Sequence, residues 1–272
     1  MRHVRLGHRA PAAWQTIRRR RAAPGGVVLG YHDVVADDVT PGRWDVTVSQ
    51  LRRHLRVLEV MGLRIVGLDD IARRLHRGEP LDGCAALTFD DALAGVRTRA
   101  LEAVAGAGAT ATVFVVSDHL GTSPPWWPGA PHTLDAAGIE TLVRAGWTIG
   151  SHTRHHPNLV ACCETTLADE LAGSRRLLAD RCGTAPDLLA YPHGYHDAAV
   201  RKAATEAGYT AAVTFLNGRV TPGIDPMRIP RLTMGAHLGA PRLALHLARI
   251  AGSWPDHQLD RVGPDDRAEG TP

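Results

Sequence analysis

Strand-like apolar runs alternate with helical stretches along this 272-residue chain, and most of the strand-like runs end on a polar cluster. Residues 27–33 read as a strand ending in Tyr31-His32-Asp33, and residues 84–89 as a strand ending at Asp90-Asp91. Residues 110–116 form a β-branched run, and residues 146–150 open into a histidine-rich segment. Further strands are read over residues 188–191, ahead of Pro192-His193-Gly194, over residues 210–214, and in short form over residues 63–66. Between them, residues 48–62, 68–78, 96–107, 136–145, 166–181, 198–207 and 241–251 carry the spacing or composition of helices. Such alternation predicts an α/β fold with a mainly parallel sheet and helical crossovers, here a deformed parallel (β/α) barrel of about seven strands. In that architecture functional groups gather at the carboxyl ends of the strands. Four of the polar clusters fall at that end.

The chain suits one large domain, assigned to residues 26–252, between a basic arm over residues 1–25 and a polar tail over residues 253–272. Hydrophobic residues are 44% and charged residues 22%, so the body of the chain has ordinary globular usage. The arm carries Arg2, Arg5, Arg9 and a run of arginines at residues 18–21 without an acidic residue, which suits peripheral contact with an acidic membrane surface. Elements that read or stack on bases are missing beside it, so no nucleic acid is expected. Pro11, Gln15 and Thr16 interrupt the apolar stretch a secretory signal would need, and no run approaches the length of a membrane span. A cytoplasmic location follows as the expectation. Cys84, Cys162, Cys163 and Cys182 form no CxxC pair and are read as reduced thiols packed like small apolar residues.

The chemistry concentrates in two of the strand ends. Two adjacent carboxylates at the end of a buried strand are costly unless a partner uses them, and a cation is such a partner. His152 and His156 stand four apart, a spacing that suits a zinc-binding pair, although Pro157 biases His156 away from helix and toward a tight loop. Two imidazoles and one carboxylate leave coordination positions open, as catalytic rather than structural metal sites do. One aspartate would then bind the ion and the other accept a proton. The ion would most naturally be zinc, with cobalt, nickel or iron as alternatives. The plainer reading of Asp90-Asp91, a helix cap, explains one carboxylate but not the whole set.

Leu87-Thr88-Phe89-Asp90-Asp91, the run from Gly150 to Leu159 and Leu189-Ala190-Tyr191-Pro192-His193-Gly194 resemble the motifs of the polysaccharide deacetylase family, the NodB-homology fold of carbohydrate esterase family 4. The segments from Ala109 to Val116 and from Glu170 to Arg175 also follow its pattern. The resemblance implies a hydrolase that removes N-acetyl groups from an N-acetylated sugar or polysaccharide by attack of a metal-held water. Asp90 would be the general base, and Asp91, His152 and His156 the metal ligands. The loop of Pro192, His193 and Gly194 would line the substrate site, with the His193 backbone N–H stabilising the oxyanion and Tyr191 either touching the sugar or packing in the strand end. Three departures stand out. Ala92 replaces a frequent glycine, read as a mild change unless a positive φ is required. Ala190 stands where many members carry an arginine that orients the base, which, with Gly30-Tyr31-His32-Asp33, resembles the subgroup acting on poly-N-acetylglucosamine. The late Leu-x-His motif has its nearest match at His246, a candidate general acid, with His32, His155 and His237 as further candidates. Two other functions share these residues: an O-acetyl esterase, and a catalytically silent carbohydrate-binding scaffold. Trp126 and Trp127 could stack on sugar rings or pack on the barrel rim.

Overall fold

The computed structural model describes residues 25–183 and 185–249, so all but the last residue of the basic arm over residues 1–25, and the whole polar tail over residues 253–272, lie outside the described residues. Ten strands are described among these residues: β1 (Val27–Tyr31), β2 (Val34–Val35), β3 (Val46–Thr47), β4 (Arg64–Ile65), β5 (Cys84–Phe89), β6 (Thr112–Val115), β7 (Thr148–Ser151), β8 (Leu188–Ala190), β9 (Ala211–Val213) and β10 (Leu232–Thr233). The main sheet runs in the order β10-β1-β5-β6-β7-β8-β9, with β4 beside β5 and every pairing parallel. This is the parallel α/β barrel expected from the alternation, curled rather than regularly closed. The short pair β2-β3 and strand β10 were not legible in advance, since two-residue strands carry no periodicity.

The gap between the sheet's two ends is spanned by a single segment. Ile229 bridges to Val213 at the end of β9, and three residues later Leu232 and Thr233 pair with Leu29 and Gly30 of β1. Arg231 sits on this segment, fully buried.

Side chains alternate strictly between the two faces of the sheet. Val27, Leu29, Tyr31, Ala85, Leu87, Phe89, Val113 and Val115 face outward, where α1 (Val48–Val60) supplies Leu51, Leu55 and Leu58. The intervening Val28, Ala86 and Phe114, with Leu188, Ala190, Ala211 and Val213, face inward and pack with Leu68, Ile71, Ala72 and Leu75 of α2 (Leu68–Arg77). That helix plugs the barrel at the strand starts: His76 Nε2 meets the Thr210 carbonyl at 2.9 Å, just before β9. With that end filled, the opposite mouth is left for function.

The outer helices are α3 (Leu101–Gly106), α4 (Ala136–Arg144), α5 (Glu164–Ala168), α6 (Ser174–Cys182), α7 (Ala198–Glu206) and α8 (Ala240–Arg249). Asp135 and Asp197 cap α4 and α7 by accepting from the N–H of Gly138 and Val200. The helix read over residues 166–181 is interrupted by a π turn over Asp169–Gly173, and that over residues 96–107 begins with one over Val96–Ala100. Cys84 is buried as expected, but Cys163 is exposed, its Sγ within 3.3 Å of the Thr165 and Thr166 hydroxyls; packing does not account for it.

Gly150 shows how tightly the interior is filled. A Cβ there would stand 2.4 Å from the Phe114 ring. Gly150→Ala is therefore expected to lower stability by about 1–3 kcal/mol through overpacking. Urea denaturation checks this, and an unchanged midpoint would contradict the packing described.

Candidate active site

The inward parity of β5 carries Thr88 and then Asp90 into the barrel mouth, where both meet Arg231. Its guanidinium donates to both oxygens of Asp90 at 2.7 Å, to Thr88 Oγ1 at 3.1 Å and, through Nε, to the Thr214 carbonyl at 3.0 Å. Neither side chain of the pair is exposed. Phe215 lies under the guanidinium, 4.6 Å from its carbon, and Gly30 leaves the space it needs. Burial pushes the Asp90 carboxyl up, but Arg231, with His152 behind it, more than offsets this and holds it down to about 2. This is the partner that Ala190 does not provide. Arg231 has no local signature in the sequence; the one available signal was that Asp90 lacked an arginine at the usual position.

After Asp90 the chain turns through positive φ at Asp91 (64°) and Ala92 (50°). Ala92 is therefore more than the mild change expected, because the turn does demand the left-handed region that glycine occupies freely. The turn redirects Asp91 away from Arg231. Its Oδ1 lies 3.7 Å from His152 Nε2 and 3.6 Å from His156 Nε2. One donor atom from each of these three buried residues falls within 4.8 Å of the others. Burial and the neighbouring Asp90 charge push the Asp91 carboxyl up to about 8, against the smaller opposing pull of the Trp126 bond and of Arg231.

The two imidazoles are presented as neutral donors. His152 Nδ1 stands 2.8 Å from the Ala190 carbonyl, which can only accept, so this nitrogen carries the proton and Nε2 keeps its lone pair. Burial lowers the pKa of His152 and, to a greater degree, that of His156. His156 sits in a tight loop, not a helix, with positive φ at Thr153 and at His156 itself. One carboxylate and two neutral imidazoles, held dry with their lone pairs converging, fit a borderline divalent ion.

Trp126 joins the same cluster. Its Nε1–H donates to Asp91 Oδ1 at 3.0 Å, and its ring stacks on His156 at 4.8 Å. The loop that carries it is pinned to the turn after Asp91 by the Leu134 N–H to Ala92 carbonyl bond of 2.7 Å. Trp127 meets His32 edge-on, and Trp44 and Phe215 complete an aromatic wall around that ring. His32 is buried with Nδ1 unpartnered, and burial pushes its pKa down to about 4.

The remaining predicted residues divide. Pro192, His193 and Gly194 turn at the mouth, with His193 at φ 58° and its ring 4.6 Å from that of His156. Tyr191 does not belong to the site: strand parity points it outward into the cluster of Leu189, Val200 and Tyr209, where its hydroxyl donates to the Met227 carbonyl at 3.1 Å. His246 lies on α8, which packs against α1, and no described contact joins it to the cluster. His155 turns to Glu170 and Asp118 instead of the ligand triad. His237 is likewise outside the cluster, in the loop beside Gly235.

The sequence profile described as polysaccharide deacetylase matches residues 77–212, half of the chain, a span that holds the three motifs in their order along β5, β7 and β8. The chain belongs to the polysaccharide deacetylase family. A curated relative, the putative polysaccharide deacetylase YxkH of Bacillus subtilis, is 22% identical over 204 residues, spanning 75% of this chain and 68% of that protein. Among solved structures, the IcaB structure from Ammonifex degensii superposes with a TM-score of 0.73 at 21% identity, covering 82% of this chain and 97% of that one. The Streptococcus pyogenes deacetylase PplD superposes with a TM-score of 0.71 at 18% identity, over 82% of this chain and 99% of that one. At these identities the structural likeness establishes the curled barrel fold. Among the described residues no helix is long and apolar enough to cross a membrane.

Removing Arg231 leaves Asp90 buried and unpaired. Arg231→Met is expected to cost about 3–5 kcal/mol in chemical denaturation, and adding Asp90→Asn should recover part of that loss. Additive losses would show that the pair is not coupled.

Proposed function

We propose that this deacetylase-family chain is a metal-dependent hydrolase that removes N-acetyl groups from an N-acetylated sugar or polysaccharide. The observation carrying this reading is the split between adjacent carboxylates: Asp90 is locked to Arg231, while Asp91 faces two neutral imidazoles. Environments that push two neighbouring acids apart assign them different jobs. Asp91, His152 and His156 would hold the ion, for which zinc suits the donor set, with cobalt, nickel or iron also compatible. Bound there, a divalent ion supplies Lewis acidity toward the acetyl carbonyl and toward water.

The protein's own groups then move the protons. Asp90, kept ionised and oriented by the Arg231 fork, accepts a proton from the attacking water. The backbone N–H of His193 donates to the oxygen on which negative charge develops. The C–N bond breaks to give acetate and a free amine, and the departing nitrogen takes the proton that Asp90 has collected. His32 is the relay we assign in place of His246. What supports it is a buried, unpartnered Nδ1 and a place near enough to Asp90 that the carboxylate favours protonation of the ring against the burial that disfavours it. Trp44 and Trp127, on the wall around His32, offer faces and edges to a sugar ring.

Chelation is expected to abolish acetate release from N-acetylglucosamine oligomers, and added zinc or cobalt to restore it. Asp90→Asn should keep the bound metal and lose about 10²–10⁴-fold in turnover. Unchanged turnover in that variant would refute the base assignment, and faster release from O-acetyl esters than from amides would move the chain to the esterases.

The pH profile gives a separate check. Arg231 is the main counterweight to the burial that raises Asp90, so Arg231→Gln should move the acidic limb of kcat/KM to higher pH. A limb that stays in place would mean that Asp90 does not set it.

A further inference from the structure

We infer that Glu170 is a positioning residue that sets the affinity of the site for its divalent ion without touching it. The inference rests on the reading of Asp91, His152 and His156 as ligands. It concerns how the turn between the two histidines is held.

That turn is strained. Thr153 has φ 68° and His156 has φ 63°, and a β-branched residue is rarely found in the left-handed region because its side chain crowds the backbone there. Such a turn persists only if its surroundings over-determine it. The two ligands also differ in their support. His152 is oriented by its own Nδ1 bond to the Ala190 carbonyl, whereas His156 Nδ1 is buried with no hydrogen-bond partner. The direction of the His156 ring therefore depends on the backbone of the turn and on the stacked Trp126.

Glu170 grips that backbone at its centre. One carboxylate oxygen accepts from the N–H groups of both Arg154 and His155, at 2.9 and 3.0 Å, and the other meets His155 Nδ1 at 2.6 Å. The Glu170 side chain is only 6% exposed, and the proposed mechanism uses none of these bonds. The helix delivers it through the π turn over Asp169–Gly173, a wider turn of the kind that recurs at functional sites. Within the same turn Asp169 pairs with the Arg154 guanidinium at 2.5 Å, and a Cβ on Gly173 would stand 2.8 Å from the Arg154 side chain. Ser174, next in the chain, donates to the Thr153 carbonyl at 3.1 Å. The π turn and Ser174 thus hold the metal turn at Thr153, Arg154 and His155, with Glu170 taking the two central N–H groups.

The test is zinc affinity of the metal-free full chain, measured by competition with a chelating indicator. Glu170→Gln keeps the shape but replaces one acceptor oxygen by a donor, and it should weaken zinc about 10–100-fold. At saturating zinc, kcat should return close to the wild-type value, which loss of a catalytic group would not allow. Glu170→Asp withdraws the carboxylate by one methylene; it should also weaken zinc and serves if the Gln variant does not fold. Gln50→Leu removes bonds from α1 to the Gly235 and Leu238 carbonyls, away from the π turn, and controls for general destabilisation; its zinc affinity should be unchanged. Wild-type affinity in a folded Glu170 variant would overturn the inference, as would equal weakening in Gln50→Leu. Failure of the wild-type chain to bind zinc would instead overturn the ligand assignment on which it rests.

Discussion

The buried ion pair between Asp90 and Arg231 joins the two halves of this structure. Asp90 ends the central strand of the sheet, and Arg231 belongs to the segment that spans from β9 back to β1. A lone carboxylate at that depth would be untenable, and so would a lone guanidinium. Together, with Thr88 Oγ1 and the Thr214 carbonyl taking two further donors, they form a network that ties the closing segment to the barrel interior. The pair also dictates the chemistry beside it. Burial, with Asp90 held as a carboxylate beside it, pushes Asp91 toward the neutral form unless a cation arrives.

The backbone tells the same story. Among the described residues, the non-glycine positions with positive φ are Asp91, Ala92, Thr153, His156 and His193, and they lie in the three turns that form the mouth. Strain of this kind is tolerated where the scaffold around it is rigid. Here the scaffold is a barrel plugged by α2 at one end and filled by Phe114 and its neighbours, so the turns at the other end can hold conformations that isolated loops would abandon.

Much of this was legible from the chain. Residues 84–89 and 146–150 declare themselves as strands by composition, and carboxylates and imidazoles at their ends point to one site. What could not be read depended on parity or on distance. Tyr191 was open between touching the sugar and packing at the strand end; one residue of strand register turns it outward to pack, and a three-residue strand carries too little alternation to show which way. Arg231 lies 141 residues from Asp90, in a segment whose two-residue strand has no pattern of its own. Glu170 reads as an ordinary helical residue, because a π turn leaves no clear mark on apolar spacing. Ala92 shows the limit of residue preference: the turn requires a positive φ that alanine disfavours, and the surrounding packing overrides it.

The division of labour between the two carboxylates is tested most directly by anomalous diffraction from crystals of the full chain grown with a divalent transition metal. The account predicts a single peak within coordinating distance of Asp91, His152 and His156, with both oxygens of Asp90 still on the Arg231 guanidinium. A metal bridging Asp90 and Asp91, or a peak elsewhere with this triad empty, would contradict it.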